Sequence, residues 1–419
     1  MRIGIDGSCL TSRRGFGRFA RQTIAALAEA GTSHDFTVFV DRPSADEARV
    51  PAPFERVVVE VGEAPSRAAS AAGRRRVRDM VAMGSAVARS GINLLYFPAS
   101  YSFFPVWKVP RVVVTMHDTL ALAHPDLVFP TWQGRIAWKL KEHLAVRRAD
   151  RIVTVSEAAR RDLVAWFRLP EERVRVVTEG PAAVFRPLED GPRSDAVLAG
   201  FGLEPGSRYL LYVGGLSPHK NLLRLIDAFS KAAPAGVRLV LVGDLGDVFH
   251  THVPELRAAV ARLGLGGRIL FAGFVPDEEL VYLYNRAYAL VQPSLMEGFG
   301  LPPVEAMACG IPVICSLAGS LPEVVGDAGV FFDPRDVEAM AGTIRRLLAH
   351  PAERDRLATR ALGRSARFSW SSSARSLIEC FEELDPGRRV GRPASPTRRK
   401  IASMTRTLRP KSRTTYVDS

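Results

Sequence analysis

Short apolar runs alternate with stretches of helical periodicity along most of this sequence. The runs are rich in valine, isoleucine and leucine, which is typical of strands buried on both faces of a parallel sheet. Between them, apolar residues recur three and four positions apart, as in Leu222, Leu225, Ile226 and Phe229. Because strands that alternate with helices fold into helix-covered parallel sheets, the pattern indicates an α/β fold.

The predicted strands form two sets, separated by a linker with proline and glycine at 179–192. Strands are predicted at 2–6, 36–40, 56–61, 93–98, 111–116, 151–155 and 173–178 in the first set, and at 209–213, 237–242, 268–272, 288–292 and 311–315 in the second. Helices are predicted at 16–30, 67–89, 132–148, 221–233, 277–286, 333–350, 351–368 and 369–383. We therefore predict two facing, doubly wound Rossmann-like domains at 1–187 and 188–368, a closing helix at 369–386 and a tail at 387–419.

The positive charge of the chain is concentrated in this tail. The net charge is +13, but residues 387–419 alone hold ten Lys or Arg and one acid, Asp418. The tail has too few apolar residues to fold, so we expect it to be disordered. Because the remainder is close to neutral, the high pI does not predict a nucleic-acid-binding protein. The tail either attracts anionic lipid head groups or only aids solubility.

The cysteine pattern and the N-terminal sequence predict the cellular compartment of the protein. The four cysteines have no metal-ligand or C-x-x-C spacing, which favours reduced thiols and a cytoplasmic location. The chain enters a strand at Arg2, which leaves no room for a signal peptide, and no apolar run is long enough to span a membrane. We expect a cytoplasmic protein that, at most, lies peripherally at the inner face of the cell membrane.

The stretch with the most distinctive chemistry is 297–312, E-G-F-G-L-P-P-V-E-A-M-A-C-G-I-P. Gly298 and Gly300 allow the backbone to approach a ligand closely, and the two prolines that follow suit the first turn of a helix. Glu297 is thus predicted in a loop and Glu305 at the start of a helix. In open α/β sheets, ligands bind beside strand ends of this kind.

Two carboxylates at this spacing carry little information by themselves. On one helix they would stand about 80° apart, at roughly 100° per residue. Glu305 would then only complement the helix dipole, and Glu297 would be a solvated loop acid. The alternative is that both carboxylates bind a ligand in the same crevice.

The segment 297–312, together with the Val313 and Ile314 that follow it, resembles the E-x7-E signature of the retaining nucleotide-sugar glycosyltransferases of family 4. These enzymes have the GT-B fold. The resemblance implies that Glu297 holds hydroxyls of the transferred sugar and that Glu305 holds the ribose of the nucleotide. It also implies that this loop meets the donor through Gly298, Phe299, Gly300 and Leu301.

The turn G-G-L-S-P-H-K-N in the second domain carries a further resemblance at S-P-x-K-N. Lys220 precedes a helix, and a cation there opposes the helix dipole unless an anion binds beside it. In the family this lysine contacts the donor pyrophosphate, next to Gly214 and Gly215. Many members have an arginine where this chain has Gly215, so Arg224 or Arg18 is a candidate for the missing phosphate contact.

The loop after the predicted strand 268–272 corresponds to the nucleobase site of the family. The resemblance implies that the backbone recognises the base at Gly273, Phe274 and Val275. A plain strand–helix turn, capped by Asp277, explains the same glycine.

The acceptor side is predicted in the first domain. His117 and Asp118 directly follow the strand 111–116, at the end where site residues lie. A lone histidine is more often structural, but the H-D pair resembles the family pattern, in which the histidine lies beside donor sugar and acceptor. Asp118 would orient that ring. Gly15 and Gly17 resemble the first loop of the family, below the donor–acceptor cleft, although a simple turn explains them equally well.

Two segments leave open whether the protein touches lipid. Residues 99–107 contain four aromatic side chains, which line an acceptor pocket, contact lipid or, more commonly, pack a domain edge. The helix 132–148 combines tryptophans with five Lys or Arg. Such an amphipathic helix either lies on an anionic membrane surface or presents a solvated basic face.

These features predict a hexosyltransferase, similar to the mannosyltransferases of the family. It would move a sugar from a nucleoside-diphosphate sugar to a saccharide or lipid-linked acceptor of a surface polysaccharide or glycolipid. Catalysis would rest on Glu297, His117 and Lys220, without metal or other cofactor, since no D-x-D motif stands in a suggestive loop. The main alternative is a catalytically silent scaffold of the same fold, favoured weakly by Gly215. A GT-B-like epimerase fits the string less well.

Overall fold

The computed structural model of the chain describes residues 1–12, 14–63, 76–129, 131–246 and 252–385. The tail predicted at 387–419 and the first part of the helix predicted at 67–89 lie outside these residues. The strands within the described residues form two sheets, and their pairs are parallel. This arrangement confirms the predicted α/β class.

The first sheet reverses its winding direction at its centre. Its strands are β1 (Arg2–Asp6), β2 (Asp35–Asp41), β3 (Glu55–Val59), β4 (Leu94–Phe97), β5 (Arg111–Thr115), β6 (Arg151–Thr154) and β7 (Val174–Val176). They lie in the order β3-β2-β1-β4-β5-β6-β7. The reversal between β1 and β4 opens a crevice at the carboxyl ends of these strands, which is the usual place for a ligand.

The second sheet repeats this plan. Its strands are β8 (Arg208–Val213), β9 (Val237–Val242), β10 (Ile269–Gly273), β11 (Ala289–Gln292), β12 (Val313–Ser316) and β13 (Gly329–Phe332). The order is β10-β9-β8-β11-β12-β13, so the reversal falls between β8 and β11. The loops after β8 and β11 therefore meet at one edge, and these are the loops predicted to bind the donor.

Helices pack against both sheets. Within the described residues they are α1 (Gly15–Glu29), α2 (Val77–Arg89), α3 (Leu120–Ala123), α4 (Trp132–Arg148), α5 (Glu157–Phe167), α6 (Pro192–Gly200), α7 (Leu222–Ala232), α8 (Val253–Arg262), α9 (Asp277–Arg286), α10 (Leu301–Ala308), α11 (Leu321–Val325), α12 (Val337–Ala349), α13 (Pro351–Ser365) and α14 (Trp370–Glu383). In this part of the chain, no helix combines the length and apolarity that a membrane span requires.

Both faces of the first sheet are covered by apolar packing. Along β4, Leu94 and Tyr96 belong to one buried cluster, whereas Leu95 and Phe97 belong to another. Alternate residues of a strand point to opposite faces, so the sheet has a core on each side. Burial on both sides explains why the strands read as continuous apolar runs rather than as an alternation.

Strand β13 and the helices α3, α6, α8 and α11 were not predicted, and helix α12 began later than expected. Strand β13 is short and starts with a glycine, and α6 lies directly after the segment interpreted as a linker, where Pro192 occupies the first helical turn. Helix α8 also has a proline in its first turn. Helix α12 begins at Val337, not at 333, because the Asp336 carboxylate accepts the Ala339 amide at 2.9 Å and caps the helix there.

The closing helix α14 lies against the first sheet. Phe381 contacts Tyr96 of β4 with ring centroids 5.4 Å apart. Arg175 of β7 donates to Glu383 at 2.6 Å and also pairs with Glu379. The last helix of the described chain therefore returns to the half that contains the N-terminus.

Candidate active site

The centre of the site is an ion pair at the reversal point of the second sheet. Lys220 follows β8 and Glu297 follows β11, and these two strands are hydrogen-bonded neighbours. Lys220 Nζ donates to Glu297 Oε1 at 2.8 Å. The structure thus places two residues that are remote in sequence in direct contact at the predicted edge.

One oxygen of Glu297 takes all of the hydrogen bonds that the described residues give this carboxylate. Besides Lys220, Gln292 Nε2 donates to Oε1 at 2.8 Å and Ser294 Oγ donates to it at 2.6 Å. Oε2 has no partner among the described residues. The carboxylate is therefore held firmly through one oxygen, while the other remains able to accept from a ligand hydroxyl.

The charge state of Glu297 follows from these partners. Its side chain is only 12% exposed. Burial alone would raise the pKa of Glu297, but the Lys220 ammonium and the Ser294 hydroxyl outweigh burial and hold that pKa below its ordinary value. Glu297 is thus ionised at neutral pH and acts as a hydrogen-bond acceptor, not as a proton donor.

The two loops are tied to each other by further bonds. The Leu295 amide donates to the His219 carbonyl at 2.9 Å. Asn221, which has a left-handed φ of 62°, donates from Nδ2 to the Pro293 carbonyl at 3.0 Å. These bonds fix Lys220 at the start of α7 before any ligand arrives, which is the kind of preorganisation that transition-state stabilisation needs.

His219 is a neutral neighbour of this pair. Burial, together with the adjacent Lys220 ammonium, lowers the pKa of His219 to about 3. Its Nδ1 lies 3.2 Å from Ser217 Oγ. The ring therefore adds no charge at physiological pH, and Lys220 remains the cation that faces Glu297.

The first half of the chain meets this loop at Gly298. A Cβ at position 298 would lie 2.3 Å from the His117 carbonyl oxygen, which is closer than any side chain permits. Ser156, the N-cap of α5, donates from Oγ to the Gly298 carbonyl at 2.6 Å. Gly298 is thus required for a close approach to protein backbone, a role that the sequence had assigned to a ligand.

His117 lies at the predicted strand end, where the Pro98 carbonyl and the Glu179 carboxylate flank its ring. Its Nε2 is 3.2 Å from the Pro98 carbonyl, which can only accept, so this nitrogen carries the proton. Nδ1 lies 3.6 Å from Glu179 Oε1. Asp118 instead accepts the Leu120 amide at 2.9 Å. One oxygen of the Asp118 carboxylate is thus used in the following turn, and the orienting role of Asp118 stays a prediction.

Glu305 has a different environment from Glu297. It is fully buried in the second turn of α10, which begins at Leu301, and not in the first turn as predicted. Both of its oxygens have partners: Arg18 from α1 on Oε1, and the Tyr284 hydroxyl on Oε2 at 2.9 Å. Burial raises the pKa of Glu305, and Arg18 and Tyr284 oppose that rise. This carboxylate depends on its two partners to stay ionised.

The remaining predicted positions differ in what they offer a ligand. Phe299, Leu301 and Val275 bury their side chains, so that only their backbone is available, whereas Phe274 is exposed. Gly214, Gly273 and Gly300 have positive φ. Gly15 is open and exposed, but a Cβ at Gly17 would lie 2.1 Å from the Ser12 carbonyl. The Gly215 carbonyl accepts from the Tyr212 hydroxyl at 2.6 Å.

Both candidates for the missing phosphate contact have protein partners. Arg224 donates to Asn221 Oδ1 at 3.0 Å, and Arg18 bonds to Glu305 and Asp277. The side chains in the described ranges also contain no group of three or more His, Cys, Asp or Glu residues that could hold a metal ion.

Two protein families match the two halves of this chain. The family described as Glycosyltransferase Family 4 matches residues 13–180, and Glycosyl transferases group 1 matches residues 197–364. O-antigen chain mannosyltransferase B of Escherichia coli is 35% identical over 292 residues, which cover 68% of this chain and 73% of that protein.

The chain belongs to the family-4 glycosyltransferases.

Solved structures confirm the fold of this glycosyltransferase. Sucrose-phosphate synthase from Thermosynechococcus elongatus superimposes with a TM-score of 0.75 at 22% identity, over 92% of this chain and 99% of that chain. HepE from Anabaena, in complex with UDP-glucose, superimposes with a TM-score of 0.69 at 21% identity, over 91% of this chain and 100% of that chain. The predicted GT-B class is confirmed, and membership of an enzyme family does not favour the catalytically silent scaffold.

Several residues of the candidate glycosyltransferase site were not identified from the sequence. Ser294 and Gln292 lie next to Glu297 in sequence, and the polar residues that end β11 are the signal that would have revealed them. Ser156 was not singled out from the sequence as a site residue, and Glu179 was predicted only as part of a linker. Their contacts join distant segments, and no local pattern in one sequence encodes such a contact.

We predict that Gly298→Ala impairs catalysis more than stability. The added Cβ forces the loop away from the His117 carbonyl, and a displacement of about 1 Å at reacting groups lowers turnover by about 100-fold. Overpacking of this kind costs about 1–3 kcal/mol of unfolding free energy. The measurements are kcat with an active donor and urea unfolding.

Gly267→Ala is the matched control, because an added Cβ at Gly267 meets nothing within 4 Å. A Gly298→Ala protein that keeps the kcat of the parent would show that the contact between this loop and His117 is not needed for catalysis.

Proposed function

We propose that the chain transfers a hexose from a nucleoside-diphosphate sugar to a saccharide acceptor of a cell-surface polysaccharide. Mannose is the first candidate, because a relative that is matched over 73% of its length is named an O-antigen chain mannosyltransferase. The observation that carries the proposal is the Lys220–Glu297 pair at the reversal point of the second sheet. The bound UDP-glucose of HepE, a protein of the same fold, supports a nucleotide-sugar donor.

Glu297 positions the donor sugar in this proposal. Its free oxygen, Oε2, accepts from a sugar hydroxyl while Oε1 stays bonded to Lys220 and Ser294. An ionised acceptor that is already fixed loses little freedom when the sugar binds. We assign Glu297 to positioning and not to covalent attack. Retention of anomeric configuration is part of the proposal and rests on the family resemblance alone.

Lys220 stabilises the leaving group. When the bond between the sugar and the diphosphate breaks, negative charge develops on the diphosphate oxygens. An ammonium at the N-terminal end of α7, together with the backbone amides there, is suited to hold that charge. Glu305 is assigned to the ribose and the loop at Gly273–Val275 to the base, as the resemblance implies.

The acceptor is proposed to approach from the first half of the chain. His117 lies behind the Glu297 loop, and its protonated Nε2 is already bonded to the Pro98 carbonyl. The ring therefore presents Nδ1, the nitrogen nearer Glu179, for contact with a hydroxyl or for relay of a proton. Gly15 and Gly17 remain the proposed acceptor-side loop.

We propose further that transfer needs no metal ion. The positive charge that a metal would supply to the diphosphate comes instead from Lys220 and the amide groups at the start of α7.

An anionic membrane surface is the proposed partner of helix α4. The structure confirms this helix at its predicted bounds, but four of its large apolar side chains face solvent. Its buried residues are Glu142, Ala145 and Val146. The exposed apolar residues follow one another at every fourth position and are 47–65% exposed: Trp132, Ile136, Leu140 and Leu144. Four such residues form a stripe along one side of the helix.

The charges around this stripe match an anionic lipid surface. Lys139 and Arg147 are exposed on the helix, and its one acid, Glu142, is buried and bonded to Ser100 at 3.0 Å. Asp126, which precedes the helix and is exposed, pairs with Arg135. An apolar stripe with basic neighbours and no exposed acid on the helix itself is typical of helices that lie in a bilayer interface.

Helix α4 reaches the acceptor-side loop through Trp138, which does not belong to the stripe. The Phe16 ring, between Gly15 and Gly17, stacks on Tyr101 at 4.6 Å, and Tyr101 contacts Trp138 of α4 at 5.8 Å. A lipid-linked acceptor held in the membrane would thus reach the site from this side. The four cysteines are thiols rather than disulfides, which supports a reducing compartment, and we propose the inner face of the cell membrane. Most of the aromatic segment 99–107 is buried, as its packing interpretation predicted.

The first prediction of this proposal concerns nucleotide binding without metal. Thermal unfolding in UDP, GDP, ADP and dTDP should show stabilisation by one nucleotide, of about 2.7 kcal/mol at a hundred times its Kd. Lys220→Ala should abolish that shift, because the diphosphate loses its cation. Lys231→Ala, which changes an exposed lysine paired with Glu338, is the control and should keep it. No shift with any of the nucleotides would contradict the proposed donor.

The second prediction is that activity is independent of divalent cations. Initial rates of nucleotide release from GDP-mannose or another active donor should be equal in EDTA and in magnesium, since Lys220 supplies the charge. A rate that EDTA abolishes and magnesium restores would refute this part of the proposal.

The third prediction concerns the membrane surface. The full chain should sediment with phosphatidylglycerol vesicles, less so at high salt and with phosphatidylcholine alone. Leu140→Glu should weaken vesicle binding by about tenfold or more, because it removes an apolar contact with the lipid and adds a negative charge that anionic lipid repels.

Leu317→Glu is the matched control, since Leu317 and Leu140 are both 59% exposed. Equal binding by the Leu140→Glu protein and the parent would exclude α4 as the docking surface.

A further inference from the structure

The carboxylate proposed to hold the donor ribose is closed off in this structure. Side-chain exposure of Glu305 is 1%. A carboxylate has room for about four hydrogen bonds, so its bonds to Arg18 and Tyr284 do not exhaust its capacity. The obstacle to a ribose is therefore access and not bonding capacity.

Arg18 is the partner of Glu305 that can move away. Its guanidinium reaches from α1, in the first half of the chain, to the carboxylates of Glu305 and Asp277 in the second half. Arg18 is 22% exposed and Asp277 is 29% exposed. Tyr284, by contrast, is fully buried, and its ring packs edge-on against Phe185 at 5.5 Å. A ligand can thus displace Arg18 but not Tyr284.

We propose that Arg18 is a gate at the ribose site, which the donor moves from Glu305 onto Asp277. This inference rests on the proposed function, in which Glu305 binds the ribose. In the ligand-free protein, Arg18 bridges both carboxylates. When the donor enters, the ribose hydroxyls replace the guanidinium at Glu305, and Asp277 keeps the displaced guanidinium beside the site.

Asp277 makes this exchange favourable. A buried carboxylate that loses its only cation without replacement is strongly destabilised. Here Glu305 retains the Tyr284 hydroxyl and gains ribose hydroxyls, while Arg18 retains one of its two ion pairs. The planar guanidinium can hold two carboxylates at once and then one alone, which a lysine ammonium does less well. Phe185, 5.7 Å below the guanidinium, supports Arg18 in place.

The gate predicts opposite effects for two substitutions. Arg18→Met removes the competitor of the ribose and keeps the apolar stem, so GDP or UDP, whichever binds the parent, should bind at least threefold tighter. Asp277→Asn removes the carboxylate that receives the displaced guanidinium, so the same nucleotide should bind at least threefold more weakly. In the Arg18→Met background, Asp277→Asn should have no effect on Kd. Isothermal titration calorimetry on the full chain measures all four proteins.

Each alternative gives a different pattern. Weaker binding by Arg18→Met would show that Arg18 contacts the nucleotide directly, and unchanged binding would show that its ion pairs persist in the complex. Either result overturns the gate. If Arg18→Met does not fold, Arg18→Lys serves in its place. It should also bind tighter than the parent, and weaker or equal binding again overturns the gate.

Failure of the proposed function is recognised separately. A parent protein that binds no nucleoside diphosphate would refute the donor site itself, and the gate with it. A parent that binds a nucleotide with the same Kd after Glu305→Ala would refute the ribose assignment. A parent that passes both tests, with Arg18→Met binding no tighter, refutes the gate alone.

Discussion

Burial of two carboxylates at the edge of the second sheet is the constraint on which the rest of the site depends. Each carboxylate taken out of water loses several kcal/mol of hydration free energy, and only a paired cation with further hydrogen bonds offsets that loss. Glu297 obtains these from Lys220 and two neutral side chains, and Glu305 obtains them from Arg18 and Tyr284. Neither cation belongs to the loop or helix of its carboxylate, so the site forms only when distant segments come together.

The two ion pairs leave the carboxylates in different states, and the difference bears on how a donor is bound. Glu297 keeps one oxygen free, whereas both oxygens of Glu305 are occupied. The single charge of Lys220 is already neutralised by Glu297 before a diphosphate arrives. In the proposed function, backbone amides at the start of α7 and near Gly214 would therefore meet much of the added negative charge.

The sequence predicted those parts of the structure that local patterns encode. The strands and most helices follow from apolar periodicity, and the loops at Lys220 and Glu297 follow from their place at strand ends. The contacts between the halves did not follow, because they join residues that no periodic pattern links. Ser156 and Gly298 are 142 positions apart, and Arg18 and Glu305 are 287 apart. Sequence reasoning named Arg18 as a candidate phosphate ligand, whereas the structure places it on the second carboxylate.

Helix α4 shows a second feature that the sequence did not predict, namely which side of the helix faces the core. Periodicity identifies the bounds of this helix but not which of its sides meets the core. The core beneath it is formed by Val112, Val114 and Ile152, and the small residues Ala145 and Val146 complete that packing. The larger apolar residues are therefore not needed inside, and they form the exposed stripe. Such a stripe has a cost in water, since contiguous apolar surface favours association. The helix itself is joined to the acceptor-side loop by two aromatic contacts, Trp138–Tyr101 and Tyr101–Phe16, and this favours a functional reason for keeping the stripe exposed.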